Sequence, residues 1–177
     1  MHVLVAFASK HGSTREVAEA IARELRDLRH DVDCESAASV GTLDGYDGVV
    51  LGGAVYFGRW HKDAVHFCKR HRSALATRPW SVFGMGPQTL EQQAVASSRA
   101  ELDAAIAKVP GAVPDLVAIF GGVVDPARLR FPFSHMPACD ARDWDAIRAW
   151  AAETSALFEQ HSQSDERVLA APLARDA

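Results

Sequence analysis

Short apolar runs alternate with longer stretches of helical periodicity along most of this chain. Val3 to Phe7, Val32 to Glu35, Gly48 to Gly52, Trp80 to Met85 and Leu116 to Phe120 each have the length and apolar character of a buried strand. Between the first two, Val17, Ala18, Ile21, Ala22, Leu25 and Leu28 share one helical face, while Arg23, Glu24, Arg26 and Asp27 fall elsewhere. Further helical patterns cover about His61 to Leu75, Ser97 to Lys108 and Asp143 to Phe158, the last built around Trp144, Ile147, Trp150, Ala151 and Phe158. Strands separated by helices imply βαβ units, hence a parallel sheet covered on both faces. The expected fold is a three-layer α/β sandwich with five strands in the order 2-1-3-4-5, whose ligand crevice lies outside the carboxyl ends of the strands where the order reverses. Residues 160–177 are rich in Ser, Gln, Asp, Arg and Ala with little apolar period. They are expected to form a flexible tail on a domain spanning 1–159.

Composition narrows the function classes. A chain of 177 residues, 48% hydrophobic and 24% charged, is one domain with a substantial core. Its formal net charge of −4 and the absence of a basic run speak against nucleic acid as a partner. Cys34, Cys68 and Cys139 are odd in number and far apart, which suits reduced packing thiols better than disulfides or a metal knuckle. Met1 and His2 lead straight into the first strand without a basic segment or cleavage site. No apolar run approaches the roughly 20 residues of a membrane span. A cytoplasmic protein with no integral membrane segment is expected.

The candidate chemistry sits in the loops after strands one, three and four. The first is Ser9-Lys10-His11-Gly12-Ser13-Thr14, which leads directly into a helix. Such a loop aims unpaired amides and the positive end of the helix dipole at one point, and its hydroxyls add donors. It suits a phosphate monoester, with Gly12 free to take a positive φ and Lys10 and Arg15 on the rim. The plainer alternative is an S-x-x-E capping box of Ser13 and Glu16. Neither a Walker A sequence nor Gly-x-Gly-x-x-Gly is present, which disfavours nucleoside triphosphates and dinucleotides. The second loop, Leu51-Gly52-Gly53-Ala54-Val55-Tyr56-Phe57-Gly58-Arg59-Trp60, offers Tyr56 or Trp60 to stack on a planar ligand. In the third, Gly84-Met85-Gly86-Pro87-Gln88, glycines leave backbone amides free for a polar ring edge, although an ordinary turn explains it as well. His61, His66 and His71 repeat every five residues, about 140° apart on a helix, and cannot share one metal. His61 alone, beside Arg59 and Trp60, has a claim on the site. Asp125 reads as a turn cap. No catalytic residue is identified by spacing.

Taken in order, these loops resemble the flavodoxin-like family, the first looking like its Ser/Thr-x-Thr-Gly-x-Thr phosphate loop. The chain is most similar to bacterial flavodoxin-domain proteins related to the menaquinone-dependent protoporphyrinogen oxidases. That resemblance runs from Val3 to about Phe158 and includes Tyr56 to Trp60, Phe120-Gly121-Gly122-Val123-Val124-Asp125-Pro126 and Arg142-Asp143-Trp144-Asp145-Ala146-Ile147. It implies FMN as cofactor, with Ser9 to Thr14 on the phosphate, Ala54 to Gly58 beside the ring and Gly84 to Gln88 at its polar edge. The chain departs from the family at His11 and Gly53, where the relatives often carry other residues. The third loop lacks an aromatic over the outer ring face, which leaves that face open to a second substrate. Arg130 to Cys139 is shorter than the matching region of the porphyrin-oxidising relatives.

Three functions compete. The first is an FMN oxidoreductase passing electrons from a small-molecule donor to a quinone or other acceptor, porphyrinogen being one donor the resemblance suggests. Arg59, or a protonated His61, would then steady negative charge on the reduced ring. The second is an electron carrier serving a protein redox partner. Carriers of this fold are strongly acidic around the flavin, whereas this second loop carries Arg59, His61 and Lys62, so the enzyme ranks first. The third is an interaction module that has lost its cofactor, which purified protein would reveal by being colourless.

Overall fold

The apolar runs form strands because they pack on both faces. In a computed structural model, which describes residues 1–56, 58–109, 111, 113–128, 135 and 137–170, the elements in chain order are β1 (His2–Ala8), α1 (Ser13–Asp27), β2 (Asp31–Ser36) and β3 (Gly48–Tyr56). The two-residue β4 (Arg59–Trp60), α2 (Lys62–Arg70), α3 (Arg72–Leu75), β5 (Trp80–Met85) and α4 (Gln92–Ile106) follow. The chain ends in β6 (Leu116–Phe120), β7 (Val123–Val124), β8 (Cys139–Asp140) and α5 (Trp144–Ala170). The main sheet runs β2-β1-β3-β5-β6 with all these neighbours parallel, the expected order. β4 folds back antiparallel onto β3, and β7 pairs with β8 as a separate ribbon. α1 and α5 cover one face, while α2 and α4 cover the other.

Each face has its own core. Under α1 and α5 lie Val3, Val5, Ile21, Leu25, Val50, Phe83 and Ile147, with Phe83, Phe120 and Trp150 meeting at centroid distances of 5.7 to 6.1 Å. Such pairs, one tilted and two edge-on, add about 0.5 to 1.5 kcal/mol each beyond area burial. Under α2 and α4 lie Leu4, Leu51, Phe67, Trp80, Val82 and Leu102.

Several boundaries differ from the sequence expectation, α4 starting at Gln92 instead of Ser97. β3 continues to Tyr56 instead of stopping at Gly52, because its glycines are covered from across the sheet: a Cβ on Gly52 would meet the Phe83 ring, and one on Gly53 the Trp60 indole. The second helix breaks at His71 into α2 and α3. The last helix continues from Phe158 to Ala170, since no Gly or Pro interrupts it before Pro172. The final seven residues, Phe57 and most of Arg130 to Cys139 lie outside the described residues.

Candidate functional site

The crevice at the carboxyl ends of β1, β3 and β5 begins with Gly12. This residue takes φ +98° and ψ −24° as the N-cap of α1, and no side chain caps the helix. Ser13 is therefore already helical, and the capping box of Ser13 and Glu16 does not form. The left-handed turn brings the Gly12 amide onto Ser9 Oγ at 3.0 Å, which leaves the serine hydroxyl's own proton for another acceptor. The Glu16 amide closes the first helical bond to Gly12 O, 3.0 Å away. Among the described residues, the amides of Ser13, Thr14 and Arg15 have no acceptor, as the start of a helix dictates. Beneath them the Thr14 side chain is 1% exposed and its Oγ1 has no hydrogen-bond partner.

Other buried polar atoms also lack partners, among them Ser81 Oγ, Trp150 Nε1 and Thr154 Oγ1. Those belong to a mid-sheet strand and to the buried side of α5. Thr14 Oγ1 differs in standing beside three open amides at a helix start. Glu16, one turn along, is held by Arg142, whose Nη1 lies 2.6 Å from Glu16 Oε2. The Arg142 guanidinium also forks onto Asp140 at 2.6 and 2.8 Å and lies over the Trp144 ring at 4.7 Å. Its hydrogen bonds hold the Asp140 carboxyl below the usual carboxylate range. This brace ties the β8 end to the first turn of α1. Its parts lie more than a hundred residues apart, and no local pattern marks them.

The second loop divides. Tyr56 is 44% exposed at the end of β3, whereas Trp60 is 4% exposed and packs over Gly53. Stacking by Trp60 is thereby ruled out: β4 turns its indole inward, and Gly53 is glycine because the indole occupies that space. Ala54 and Val55 are buried strand residues, Gly58 takes φ +74°, and Phe57 lies outside the described residues. His61 caps α2, its Nδ1 accepting from the Asp63 amide at 3.3 Å. Burial lowers its pKa, Asp63 opposes this, and Lys62 and Lys10 add to the lowering. A ring that accepts at Nδ1 and resists protonation supplies no positive charge at neutral pH, so of the two expected sources of charge Arg59 remains. The register that pairs Ala8 with Gly53 sets the first two loops side by side.

The third loop is bound up with its neighbours. Gly84 and Met85 are buried in β5, where a Cβ on Gly84 would press on Ile119 and Leu102. The Gly86 amide donates to Phe120 O at 3.0 Å, and the Gly122 amide to Pro87 O at 2.7 Å. The Cys139 thiol donates to Gln88 O at 3.0 Å. The amides that glycine was expected to free are thus already used at Gly86. Pro87 is half-buried and Gln88 exposed. Asp125 Oδ1 accepts from the Ala127 amide, 3.0 Å away, as a turn cap does. His66 is exposed and His71 buried. The three cysteines are unpaired, and burial pushes the Cys34 and Cys68 thiols up to about 11 and about 12.

Comparison with known proteins agrees with this geometry. A family model described as "Flavodoxin domain" matches residues 4–136. A stretch of 87 residues is 29% identical to protoporphyrinogen IX dehydrogenase [quinone] of Escherichia coli K12, covering 48% of each chain. The chain thus spans about half the length of the curated relatives it matches. Among solved structures, oxidised flavodoxins 1 and 2 of Bacillus cereus superpose with TM-scores of 0.59 and 0.60 at 19% identity, over 87% and 88% of this chain and 97% and 98% of theirs. At that identity the likeness is one of fold. No helix among the described residues is long and apolar enough to cross a membrane.

Proposed function

The chain belongs to the flavodoxin-domain family, and on that premise we propose that it binds FMN at the carboxyl ends of β1, β3 and β5 and acts as an FMN-dependent oxidoreductase. The observation that carries this reading is the first loop, with its three open amides and the partnerless Thr14 hydroxyl under a left-handed Gly12. Those donors, with Ser9 and the Lys10 ammonium, fit a phosphate monoester, and the helix dipole adds to the attraction. FMN bound there supplies reversible two-electron transfer. Tyr56 presents the exposed aromatic surface for the ring, and the backbone beyond Gly86 borders its polar edge. Arg59 contributes a permanent positive charge nearby.

The 29% identical stretch makes a porphyrinogen the first electron donor to try and a quinone the first acceptor. A flavodoxin-type carrier serving a protein partner is the second reading; the exposed basic residues Arg59 and Lys62 set this chain apart from acidic carriers and would call for an acidic partner. The test is a titration of cofactor-free protein with FMN and with riboflavin, followed by oxidation assays with protoporphyrinogen and a menaquinone. FMN is expected to bind at least about tenfold more tightly, the contribution of one charge-assisted hydrogen bond to the phosphate. Equal affinities would remove the phosphate reading. Binding of FMN with no turnover would leave the carrier.

A further inference from the structure

Between α2 and α4 runs an open groove of about 440 Å³ that starts at Gly58 and Arg59. Lys62, His66 and Lys69 line one wall at helical intervals, and Glu101 and Lys108 line the other. Val65 contributes apolar surface, with Trp60 and Ala105 buried behind it. Four permanent cations, Arg59, Lys62, Lys69 and Lys108, thus face one carboxylate, on a chain whose net charge is −4. Among the described residues none of the four forms an ion pair.

Helix stability accounts for Lys69, in the last turn of α2, but not for Lys62. Lys62 is the first residue of α2, at the positive end of the helix dipole, where a cation is unfavourable. Lys69 repeats the charge two turns along the same face. Clustered like charges raise the energy of the free protein and lower it again when an anionic surface covers them.

We propose that this groove docks an acidic redox partner protein, whose carboxylate-bearing segment lies between α2 and α4 and ends at Arg59. The redox part of the assignment rests on the flavin reading above, because Arg59 is three residues from Tyr56 at the crevice. The length of the groove favours a polypeptide: Lys62 and Lys69 are separated by about 10 Å of helix, beyond the reach of a small diacid that also touches Arg59. An acidic strand or helix presents carboxylates over that whole length.

The test uses a fluorescein-labelled peptide of alternating glutamate and leucine, read by anisotropy on the full chain over a series of salt concentrations. Binding is expected to weaken as salt screens the charges, and K62E/K69E to weaken it by at least about tenfold, while R23E/R72E, with the same net change on surfaces outside the groove, weakens it less than about twofold. Circular dichroism confirms that both variants fold. Equal losses in the two variants would overturn the proposal, as would an absence of binding by the unaltered chain. Displacement of the peptide by millimolar succinate would also overturn it, in favour of a small-acid site. Binding needs no flavin: protein that takes the peptide but not FMN keeps the groove and loses the flavin reading, and the reverse result does the opposite.

Discussion

The two ends of the sheet treat their polar groups in opposite ways. At the amino ends of the strands, the backbone and side chains are consumed by one another: Asp31 N donates to Met1 O, Asp47 N to His2 O, Val49 N to Pro79 O and Asp115 N to Trp80 O. Trp80 adds bonds from its amide to Asp115 and from its indole to Val113 O. Arg78 spans this end, donating to Ala74 O at 2.8 Å, to Tyr46 O at 2.7 Å and to Leu43 O. At the carboxyl end of β1, by contrast, three amides and a threonine hydroxyl have no partner among the described residues. Leaving a buried polar group unmade costs about 1 to 3 kcal/mol; at the amino end the backbone groups named above avoid that cost and His30 Nδ1 bears it, while at the carboxyl end the first loop bears it. The contrast assigns stability to the amino end and ligand binding to the carboxyl end.

The sharpest way to break this division is Arg78→Ala. It removes a guanidinium that joins Ala74 O to the carbonyls of Leu43 and Tyr46; Leu43 O also accepts from Tyr46 N and Ala74 O from Thr77, so among the described residues Tyr46 O is left without another donor. We expect a loss of about 2 to 4 kcal/mol in urea unfolding, because hydrogen bonds to a charged group are worth about 1.5 to 3 kcal/mol each and water recovers part. FMN affinity of the folded protein should be unchanged. A variant that keeps its stability but loses the cofactor would show that the two ends are not separate.

Thr14→Val comes next in size and has opposite signs for the two properties. Valine keeps the shape of threonine and removes a hydroxyl that has no partner in the free protein. Stability without ligand should stay level or rise by up to about 1 kcal/mol, whereas FMN should bind about tenfold more weakly, or about 1.4 kcal/mol. Riboflavin, lacking the phosphate, should be indifferent. If unfolding instead shows the variant less stable, the hydroxyl has a structural partner and the case for the first loop weakens.

The same contrast explains which features could be read from sequence. The five strands and their order follow from runs such as Val49-Val50-Leu51, because a strand covered on both faces is apolar throughout. The first loop was legible because helix starts and left-handed glycines have local signatures. The inward turn of Trp60 was not, since an aromatic two residues past a glycine reads alike whether it covers Gly53 or a ligand. Nor was the Arg142 brace, which joins α1 to β8 across more than a hundred residues. The use of the Gly86 amide by Phe120 depends on strand pairing that no single segment encodes. Lys62, His66 and Lys69 did carry a periodic signal, and the helical spacing of charges would have exposed one wall of the groove.

The smallest effect expected concerns pH, at the amino end. The His30 side chain is 3% exposed, with Nε2 at 2.6 Å from Ser155 Oγ and Nδ1 without a partner. Burial lowers its pKa below the usual 6.5, the N-terminal charge adds to this, and Glu159 at 3.9 Å partly opposes it. The unfolded chain therefore takes up a proton first as the pH falls. The stability associated with neutral His30 is fully present above about 6.5, declines as the pH drops toward the lower folded value, and levels off below that. His71, buried beside Arg70, and His61 shift in the same direction, so the unaltered protein should lose stability between pH 7 and 5 through all three. His30→Gln keeps a donor for Ser155 and removes one titrating group. Urea midpoints across that range should fall less steeply in the variant, by a fraction of the total set by the other two histidines. An unchanged slope would mean that water reaches Nδ1 and that this end of the fold is less closed than its hydrogen bonds imply.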